Sequence, residues 1–401
     1  MANYVSRVAQ MAINSESNCR LLLLSSEFPP GPGGIGTHAF HLARHLTKLG
    51  WEVCVLTSQA YVNPMAREDF NRRQTFHVQA LPERDTGALW WARRLQVIVE
   101  SVRAWKPEVM IATGQRALWT AAALRSVYPI PWVAVGHGTE FGQTSLVSST
   151  LTRWALRSAA VVVAVSDFTA DLIRRFAEPS RLTVIPNAAD GERFRPGLNP
   201  SKLRHDWDVE DFRVILTVGR VSERKAQDVV IRALPRILKS FPDTVYVMVG
   251  LPEKQAEFAT LAAELGVGQQ VRFTGLIAED KLPLAYNLAD LFVLVSRQAA
   301  DGDVEGYGIV VKEAALCGVP AVVSRECGLT EAIAEGQTGL SVPPNDPEAV
   351  AAAVIALFED EERCREMGRL ARESAMAATW AERVAAYDRL LRGFLSIKAT
   401  R

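Results

Sequence analysis

Two glutamates flank a glycine-rich turn in the segment Asp303–Ala314, which reads DVEGYGIVVKEA. Glu305 and Glu313 lie eight residues apart, and the turn Gly-Tyr-Gly stands between them. Carboxylates are rarely buried without partners, so we expect these two to face the polar groups of a ligand. Glycine permits a tight turn and a close approach of backbone to that ligand. A helix that begins after the turn would point free N–H groups at a phosphate, assisted by its dipole.

Two cations in the segment VGRVSERKAQD (218–228) would complete such a phosphate site. Arg220 directly follows an apolar run, and Lys225 lies five residues later, beside a predicted helix start. Two positive charges near a helix N-terminus can neutralise a diphosphate without a metal ion. An isolated lysine is more often a solvated surface charge, but an arginine that ends a buried strand is harder to explain in that way.

A glycine-rich loop after the first apolar run carries the pattern G-x-G-x-x-G at Gly31, Gly33 and Gly36. A dinucleotide site would also need an acidic residue about 20 positions later, at the end of the second strand. The sequence there is VLTSQAY, which has no carboxylate. We therefore interpret the loop as flexible backbone that lies against a phosphate.

Several histidines also have suggestive positions. His137 stands between two glycines after the run WVAVG, where it could hydrogen-bond a ligand hydroxyl or support a developing charge. A structural histidine explains this position equally well. His38, His41 and His45 share one face of a predicted helix, but no carboxylate or cysteine accompanies them. We therefore expect packing or surface histidines there, and no metal site.

An alternation of apolar runs and helical patterns positions these loops. Runs such as RLLLLS (20–25), RVILTVGR (213–220) and DLFVLVS (290–296) are rich in Val, Ile and Leu, as strands covered on both faces should be. Strands that alternate with helices predict parallel sheets, whose ligands bind beyond the carboxyl ends of the strands. The predicted fold class is α/β, with two Rossmann-like doubly wound domains that face a central cleft.

A polar segment rich in proline and glycine, residues 190–211, suggests the boundary between the two domains. We predict an N-terminal domain over residues 1–200 and a C-terminal domain over residues 201–375. The remaining residues, 376–401, are predicted to form a helix that packs back on the N-terminal domain.

The bulk composition excludes several classes of protein. The chain has 401 residues, and its 45 basic and 45 acidic side chains cancel, so no general affinity for nucleic acid is expected. Five scattered cysteines favour a reducing compartment. The first eighteen residues lack an apolar core, and no apolar run reaches the roughly 20 residues that span a bilayer. We expect a cytoplasmic protein, with peripheral contact at the inner face of the membrane as a further option.

Together these motifs resemble glycosyltransferase family 4 (group 1), the retaining nucleotide-sugar transferases of GT-B fold. The resemblance rests on segments in family order over most of the chain, including GGIG (33–36), GHGTE (136–140), VGRVSERKAQD (218–228) and EGYGIVVKEA (305–314). It is only general over residues 60–130, which would face the acceptor. The stretch DVEGYGIVVKEA is similar to mannosyltransferases that act on phosphatidylinositol lipids, which weakly favours GDP-mannose as donor.

The resemblance implies a role for each candidate residue. Arg220 and Lys225 would bind the donor diphosphate, Glu305 would contact the transferred sugar, and His137 would lie near that sugar in the reaction centre. The other donor-binding residues would be Gly34 at the phosphates, Glu313 at the ribose, Leu276 and Ile277 at the base, and the turn and helix start formed by Gly306, Tyr307, Gly308, Ile309 and Val310. The resemblance implies no cofactor and no metal ion.

The implied activity is transfer of a hexose from GDP-mannose or a UDP-sugar to a hydroxyl of a lipid, glycan or small-molecule acceptor. A nucleotide-sugar 2-epimerase of the same architecture and a non-catalytic nucleotide-sugar-binding protein are the alternatives. A nicotinamide oxidoreductase is disfavoured by the missing acid after the second strand. The segment ALWWARRLQVIVESVRAW (88–105) pairs tryptophans with arginines, so it would either lie on a membrane surface or form a core helix.

Overall fold

The computed structural model describes residues 19–82, 90–142, 145–178 and 181–399, and its contacts divide the chain into two compact units. The N-terminal unit comprises Met1–Val165, Ala170–Ile185 and Trp380–Arg401. The C-terminal unit comprises Ser166–Thr169 and Pro186–Thr379. The first eighteen residues, where we expected no signal peptide, lie outside the described residues.

The N-terminal unit is built on a seven-stranded parallel sheet with the order β3-β2-β1-β4-β5-β6-β7. Its strands are β1 (Arg20–Ser25), β2 (Glu52–Thr57), β3 (His77–Ala80), β4 (Val109–Thr113), β5 (Trp132–Gly136), β6 (Val161–Ala164) and β7 (Leu182–Val184). Leu21, Leu22 and Leu23 in β1 are fully buried, although successive side chains of a strand point to opposite faces. Both faces of this sheet are therefore covered, as the continuous apolar runs predicted.

Seven helices of the described chain accompany this sheet, the first residues of one of them being part of the C-terminal unit. They are α1 (Gly34–Lys48), α2 (Pro64–Arg72), α3 (Trp90–Trp105), α4 (Gln115–Val127), α5 (Leu146–Ser158), α6 (Asp167–Arg174) and α14 (Trp380–Ala399). Helix α14 packs against α1, where the Trp380 ring stacks on His41 with 4.9 Å between ring centroids. The Trp51 indole N–H also donates to Asp388 at 2.7 Å.

The C-terminal unit is built on a six-stranded parallel sheet with the order β10-β9-β8-β11-β12-β13. Its strands are β8 (Arg213–Val218), β9 (Thr244–Val249), β10 (Val271–Gly275), β11 (Leu291–Leu294), β12 (Ala321–Ser324) and β13 (Gly339–Val342). The helices that follow Pro186 are α7 (Ser201–Asp206), α8 (Gln227–Ser240), α9 (Gln255–Glu264), α10 (Leu282–Asn287), α11 (Ile309–Leu316), α12 (Pro347–Glu359) and α13 (Glu361–Met376). Successive residues of β8 pack into two different apolar clusters, so this sheet is also covered on both faces.

The division of the chain differs from the predicted boundary at residues 200 and 201. Residues 186–200 belong to the C-terminal unit, because Ala189 and Phe194 are buried in its core. At the other end, the segment that returns to the N-terminal unit begins at Trp380 rather than at residue 376.

Each sheet has a point where the chain changes direction across the strand order. In the N-terminal unit it lies between β1 and β4, and in the C-terminal unit between β8 and β11. Loops that leave two neighbouring strands at such a point diverge and open a crevice beyond their carboxyl ends. Among the described residues, no helix combines the length and the apolar character that crossing a bilayer requires.

Candidate active site

The switch point of the C-terminal sheet brings together two loops that are distant in sequence. The loop after β8 carries Arg220 and Lys225, and the loop after β11 carries Glu305, which is 80 residues beyond Lys225. Strands β8 and β11 are neighbours, although β9 and β10 separate them in the chain. Because the carboxyl ends of parallel strands share one edge of a sheet, the two loops meet there.

Four charged side chains form a compact group where these loops meet. Lys225 Nζ and the Arg224 guanidinium both contact the same oxygen, Oε2, of Glu305 at 2.5 Å. Arg224 Nε also contacts Asp303 Oδ2 at 2.9 Å. We call Asp303, Glu305, Arg224 and Lys225 the Glu305 cluster. It holds two cations and two carboxylates, so its charges balance without an added ion.

The pKa values in the Glu305 cluster follow from burial and from mutual charge. Burial alone would raise the pKa of Glu305, but the charges and hydrogen bonds of Arg224 and Lys225 outweigh it and lower that pKa to about 2. Burial lowers the pKa of Lys225, and Glu305 offsets this only in part. Burial also opposes the charge on Arg224, yet Glu305 and Asp303 prevail and raise its pKa. Glu305 is therefore ionised throughout the physiological range.

The loop after β8 is closed by a buried amide. The Gln227 side chain donates to the Arg220 carbonyl at 2.9 Å and accepts from the Ser222 N–H at 3.2 Å. The Lys225 side chain passes close to Gly219, where an added Cβ would lie 3.2 Å from Lys225 Cε. Gly219 thus leaves room for the lysine, and Gln227 fixes the loop that presents it.

The Gly-Tyr-Gly turn after Glu305 is fixed by the backbone and side chains around it. The Gly306 carbonyl accepts from Ser166 Oγ at 2.6 Å and from Thr169 Oγ1 at 3.3 Å. Gly308 has a φ of 77°, and a Cβ there would lie 2.3 Å from Leu329 Cδ2. Only glycine meets both conditions, since a φ in this region disfavours side chains and the space is already occupied.

Helix α11 begins directly after Gly308, and neither its cap residue nor its first turn supplies an acidic or capping side chain. The glycine cap contributes no side-chain hydrogen bond, and the first turn has no acidic residue. By contrast, helices α12 and α13 are capped by the side chains of Asp346 and Asp360. The first N–H groups of a helix and its dipole favour an anion, so α11 presents suitable donors beside Ile309 and Val310.

Glu313 lies in α11 in a different electrostatic environment. Its side chain is buried and accepts a hydrogen bond of 2.7 Å from the Tyr286 hydroxyl. It makes no ion pair with any described residue. Burial raises the pKa of Glu313 to about 7, although the Tyr286 hydrogen bond and the charge of Arg193 partly oppose this. Glu313 can therefore accept or donate a hydrogen bond near neutral pH, which suits a ligand hydroxyl.

Three further predicted contact residues, Arg220, Leu276 and Ile277, are exposed or only partly buried. Arg220 is exposed, and its guanidinium pairs with Glu253 at 3.1 Å, an ion pair that solvent screens. Leu276 is 46% exposed immediately after β10, and Ile277 packs partly against the core. An exposed leucine at the end of this partly buried edge strand offers an apolar surface for a planar ring.

His137 follows β5 in the N-terminal unit and is buried. Its Nε2 lies 2.6 Å from Thr113 Oγ1, at the end of the neighbouring strand β4, and its backbone N–H donates to Glu140 at 3.0 Å. Burial, and then the nearby His38, keep the pKa of His137 well below its usual value. His137 is therefore neutral at pH 7, which favours a hydrogen-bonding role over the support of developing charge by an imidazolium.

Gly34 differs from the other glycines of its loop. A Cβ at Gly31 or Gly36 would lie 3.0 Å or less from backbone atoms, and Gly33 has a φ of 151° with Glu27 against it. At Gly34, the first residue of α1, no atom lies within 4 Å of an added Cβ. The fold itself therefore explains the G-x-G-x-x-G glycines, whereas no contact of the described residues requires a glycine at position 34.

The three histidines of α1 have aromatic neighbours rather than metal-like ones. The His38 ring contacts His137, Trp380 and Tyr387, and His41 stacks on Trp380. Among the described residues, no three His, Cys, Asp or Glu side chains come together in a group that could hold a metal ion.

Comparison with known proteins covers both halves of the chain. The family profile described as "Glycosyl transferases group 1" matches residues 201–374, and that described as "Glycosyltransferase Family 4" matches residues 32–193. A GDP-mannose-dependent alpha-(1-6)-phosphatidylinositol monomannoside mannosyltransferase from Mycolicibacterium smegmatis is 30% identical over 383 residues, which are 93% of this chain and 98% of the relative. The chain belongs to glycosyltransferase family 4, group 1. The predicted family and enzyme class are thereby confirmed.

This glycosyltransferase is also similar to a glycogen synthase and to a solved structure of a further protein. A glycogen synthase from Mycobacterium tuberculosis is 29% identical over 388 residues, 88% of this chain and 89% of that protein. A crystal structure of Anabaena Alr3699/HepE in complex with UDP and glucose superposes with a TM-score of 0.78, covering 94% of this chain and 100% of that one at 22% identity. This likeness and the two parallel α/β sheets confirm the GT-B fold.

The structure of the glycosyltransferase gathers some of the predicted residues and separates others. Lys225 and Glu305 are in direct contact, whereas no ion pair or hydrogen bond within the described residues links Arg220 or Glu313 to the Glu305 cluster. Gly34 and His137 belong to the N-terminal unit. Sequence reasoning missed Arg224, Gln227, Tyr286, Ser166 and Thr113. Only Arg224, directly before Lys225, carried a local signal.

Proposed function

We propose that this glycosyltransferase moves a hexose from a nucleotide-diphosphate sugar to an acceptor hydroxyl, with retention of anomeric configuration. The observation that carries the proposal is the Glu305 cluster, in which the buried Lys225 contacts Glu305 four residues before α11 begins without a side-chain cap. Cations and N–H donors that converge in this way suit a diphosphate leaving group. Both come from the protein, so the proposal requires no metal ion and no cofactor.

The roles of the C-terminal residues follow from their surroundings. Lys225 would exchange its contact with Glu305 for a phosphate oxygen, while Arg224 retains the carboxylate. Arg220 would leave its screened pair with Glu253 for the same diphosphate. Glu305 would then be positioned to contact the transferred sugar, since its charge is already fixed.

The donor's nucleoside would occupy the remaining groups. Glu313 would hydrogen-bond the ribose hydroxyls, and Leu276 and Ile277 would lie beside the base. The backbone of Gly306–Val310 would follow the phosphates. Gly34 and His137 complete the proposal from the N-terminal unit, as contacts for the phosphates and the sugar.

GDP-mannose is the donor that we propose first. The support is the 30% identical relative, whose name states GDP-mannose dependence and a phosphatidylinositol mannoside substrate. A UDP-sugar is the second candidate, because the Anabaena protein of the same fold was crystallised with UDP and glucose. A lipid hydroxyl is the proposed acceptor, with a glycan or a small molecule as alternatives.

The proposed chemistry takes place on one face of the sugar. The bond from the anomeric carbon to the diphosphate breaks, the acceptor oxygen bonds that carbon from the same side, and the leaving phosphate takes the acceptor's proton. Lys225, Arg220 and the α11 N–H groups would stabilise the charge that develops on the phosphate. Each such partner contributes about 10²-fold to a rate.

A thermal-shift screen with GDP-mannose, UDP-glucose and UDP-N-acetylglucosamine tests donor binding. We expect a rise in melting temperature with GDP-mannose that exceeds the rise with either UDP-sugar. The stabilising donor is then supplied with candidate acceptors, and transfer is measured. Absence of stabilisation by every nucleotide-sugar would refute the proposal.

The same nucleotide-sugars distinguish the proposed function from two alternatives. A 2-epimerase would convert UDP-N-acetylglucosamine without any acceptor, which NMR would detect. A nucleotide-sugar-binding protein without activity would be stabilised by the donor but would turn over with no acceptor.

A further inference from the structure

Helix α5 presents an unusual concentration of exposed apolar side chains. Leu146 is 84% exposed, Val147 70%, Trp154 41% and Leu151 36%. These four account for more than a third of the eleven large apolar side chains that are exposed in the described part of the chain. The opposite face of α5 packs inward through Thr152, Ala155 and Leu156. The helix therefore has an inward face in the core and an apolar face in contact with solvent.

The charges on the exposed face have one sign. Arg153 and Arg157 are exposed beside the apolar side chains, and the sequence of α5, LVSSTLTRWALRS, has no acidic residue. Within the described residues neither arginine forms an ion pair, although the Arg153 guanidinium lies 5.9 Å from the centre of the Phe176 ring. Apolar side chains flanked by unpaired arginines complement a surface that is both anionic and apolar.

We infer that the exposed face of α5 docks the enzyme onto an anionic membrane surface. Val147, Leu151 and Trp154 would enter the boundary between headgroups and acyl chains, and Arg153 and Arg157 would contact the lipid phosphates. The occupant is a lipid surface rather than an acidic protein because the face combines four apolar side chains with unneutralised charge on a convex helix.

The start of α5 lies at the same edge of the N-terminal sheet as a predicted active-site residue. Strand β5 ends at Gly136, His137 follows it, and α5 is the next helix. In a parallel sheet the helix after a strand starts near that strand's carboxyl end, so Leu146 and Val147 lie at the same edge of the sheet as His137. Docking would bring this edge to a lipid acceptor. That consequence rests on the proposed function, but the docking itself does not.

The tryptophan-rich segment that the sequence singled out is less suited to this contact. Helix α3 directs Ile98, Val102 and Trp105 into the core, and among its described side chains Leu95 is the large apolar one that is exposed. Residues 88 and 89 of the segment, which precede α3, lie outside the described residues. Of the two options given for residues 88–105, the described side chains favour the core helix, and the membrane contact is therefore assigned to α5.

Flotation with vesicles tests the inference on the full chain. One set of vesicles contains phosphatidylcholine alone, and the other contains phosphatidylcholine with phosphatidylglycerol. We expect the wild type to float with the anionic set. Arg153→Gln together with Arg157→Gln should lower partitioning about 30-fold, since each basic residue near an anionic surface contributes about fivefold.

A matched pair of valines isolates the apolar contribution. Val147 and Val127 are exposed to a similar extent, 70% and 74%, but Val127 ends α4 at the opposite edge of the sheet. We expect Val147→Asn to lower partitioning about tenfold and Val127→Asn to leave it unchanged.

Three results would overturn the inference. They are a wild type that stays unbound, equal losses for the two valine variants, and self-association without vesicles that Val147→Asn abolishes, which would make a second copy the occupant. Vesicle binding requires no donor, so a chain that floats but transfers no sugar would refute the proposed function alone. A chain that transfers sugar to a soluble acceptor without floating would refute the docking alone.

Discussion

Glu305 and Glu313 are the same chemical group, lie eight residues apart and are both largely buried, yet their pKa values move in opposite directions. The pKa of Glu305 falls to about 2 and that of Glu313 rises to about 7. Burial raises both, so the difference comes from the partners. Arg224 and Lys225 contact Glu305, whereas Glu313 receives one hydrogen bond from the neutral Tyr286. One carboxylate is a fixed charge, and the other is a titrating hydrogen-bonding group.

Replacement of glutamate by glutamine at positions 305 and 313 should change the free energy of unfolding very unequally. Glu305→Gln leaves Arg224 and Lys225 without their shared carboxylate, so we expect a loss of about 3–5 kcal/mol in the free energy of unfolding. Glu313→Gln keeps an acceptor for the Tyr286 hydroxyl and removes a carboxylate that has no ion-pair partner among the described residues, so it should not lower that free energy. Urea unfolding of both variants at neutral pH measures the difference. Equal losses would show that the cations do not distinguish the two sites.

Removal of the positive charge at Lys225 or Arg220 should strongly lower the rate of sugar transfer. We expect Lys225→Ala to lower the rate of transfer by about 10²-fold or more, because the leaving diphosphate loses a charged partner. Arg220→Ala should have an effect in the same direction. Lys254→Ala is the matched control, since Lys254 is an exposed lysine that pairs with Glu257 at 2.6 Å. Melting temperatures establish that each variant is folded, and turnover near the wild-type value in both Lys225→Ala and Arg220→Ala would remove them from the mechanism.

The pH dependence of stability should have opposite signs at the two glutamates. The pKa of Glu313 is raised in the folded state, so its contribution is fully present below about 4.5 and is lost as pH rises through about 7. The stability of Glu313→Gln relative to wild type should therefore increase across this window, by on the order of 1–3 kcal/mol.

The contribution of Glu305 to stability should depend on pH in the opposite direction. Its lowered pKa makes its contribution complete above about 4.5 and lost as pH falls towards about 2. The gap between wild type and Glu305→Gln should therefore close only in acid. Unfolding curves recorded from acid to neutral pH test both signs, and a gap at either site that is independent of pH would contradict the assignment.

The smallest effect is expected from a glycine. Gly34→Ala adds a methyl group where no protein atom lies within 4 Å, so stability should be unchanged or slightly higher, while affinity for the donor falls about tenfold. Gly393→Ala is the matched control, because Gly393 also lies in a helix of the N-terminal unit with no atom near its Cβ position. A titration of the donor measured by thermal shift compares the two. Equal affinity in both variants would exclude a close approach of the donor to Gly34.

The sequence contained enough to predict the parallel sheets, because strands covered on both faces are continuous apolar runs. It did not reveal β3, a four-residue edge strand that reads HVQA and is only half buried. Lys225 and Glu305 were predicted one by one from their loops. Their direct contact, and the third partner Arg224, depend on which strands lie side by side. That order is a property of the whole sheet and has no local signature.

The sequence also did not predict the hydrogen bonds between side chains of one element and residues of another. Tyr286 in α10 meets Glu313 in α11 through its hydroxyl, and Gln227 reaches back to Arg220. Tyr286 stands in the mostly apolar segment LPLAYN (282–287), and Gln227 follows the charged run ERK (223–225), so the sequence shows the polar groups but not their partners. The opposite pKa shifts of Glu305 and Glu313 therefore required coordinates, although the two glutamates themselves did not.

The place of helix α14 has a consequence for synthesis. Trp380, Tyr387 and Asp388 supply contacts to His41, His38 and Trp51, so the N-terminal unit is completed by a segment that is synthesised after the whole C-terminal unit. The residues of the C-terminal unit all leave the exit tunnel earlier. Nascent chains should therefore finish the second unit before the first, and a stop codon shortly before residue 380 would leave the aromatic side chains of α1 uncovered.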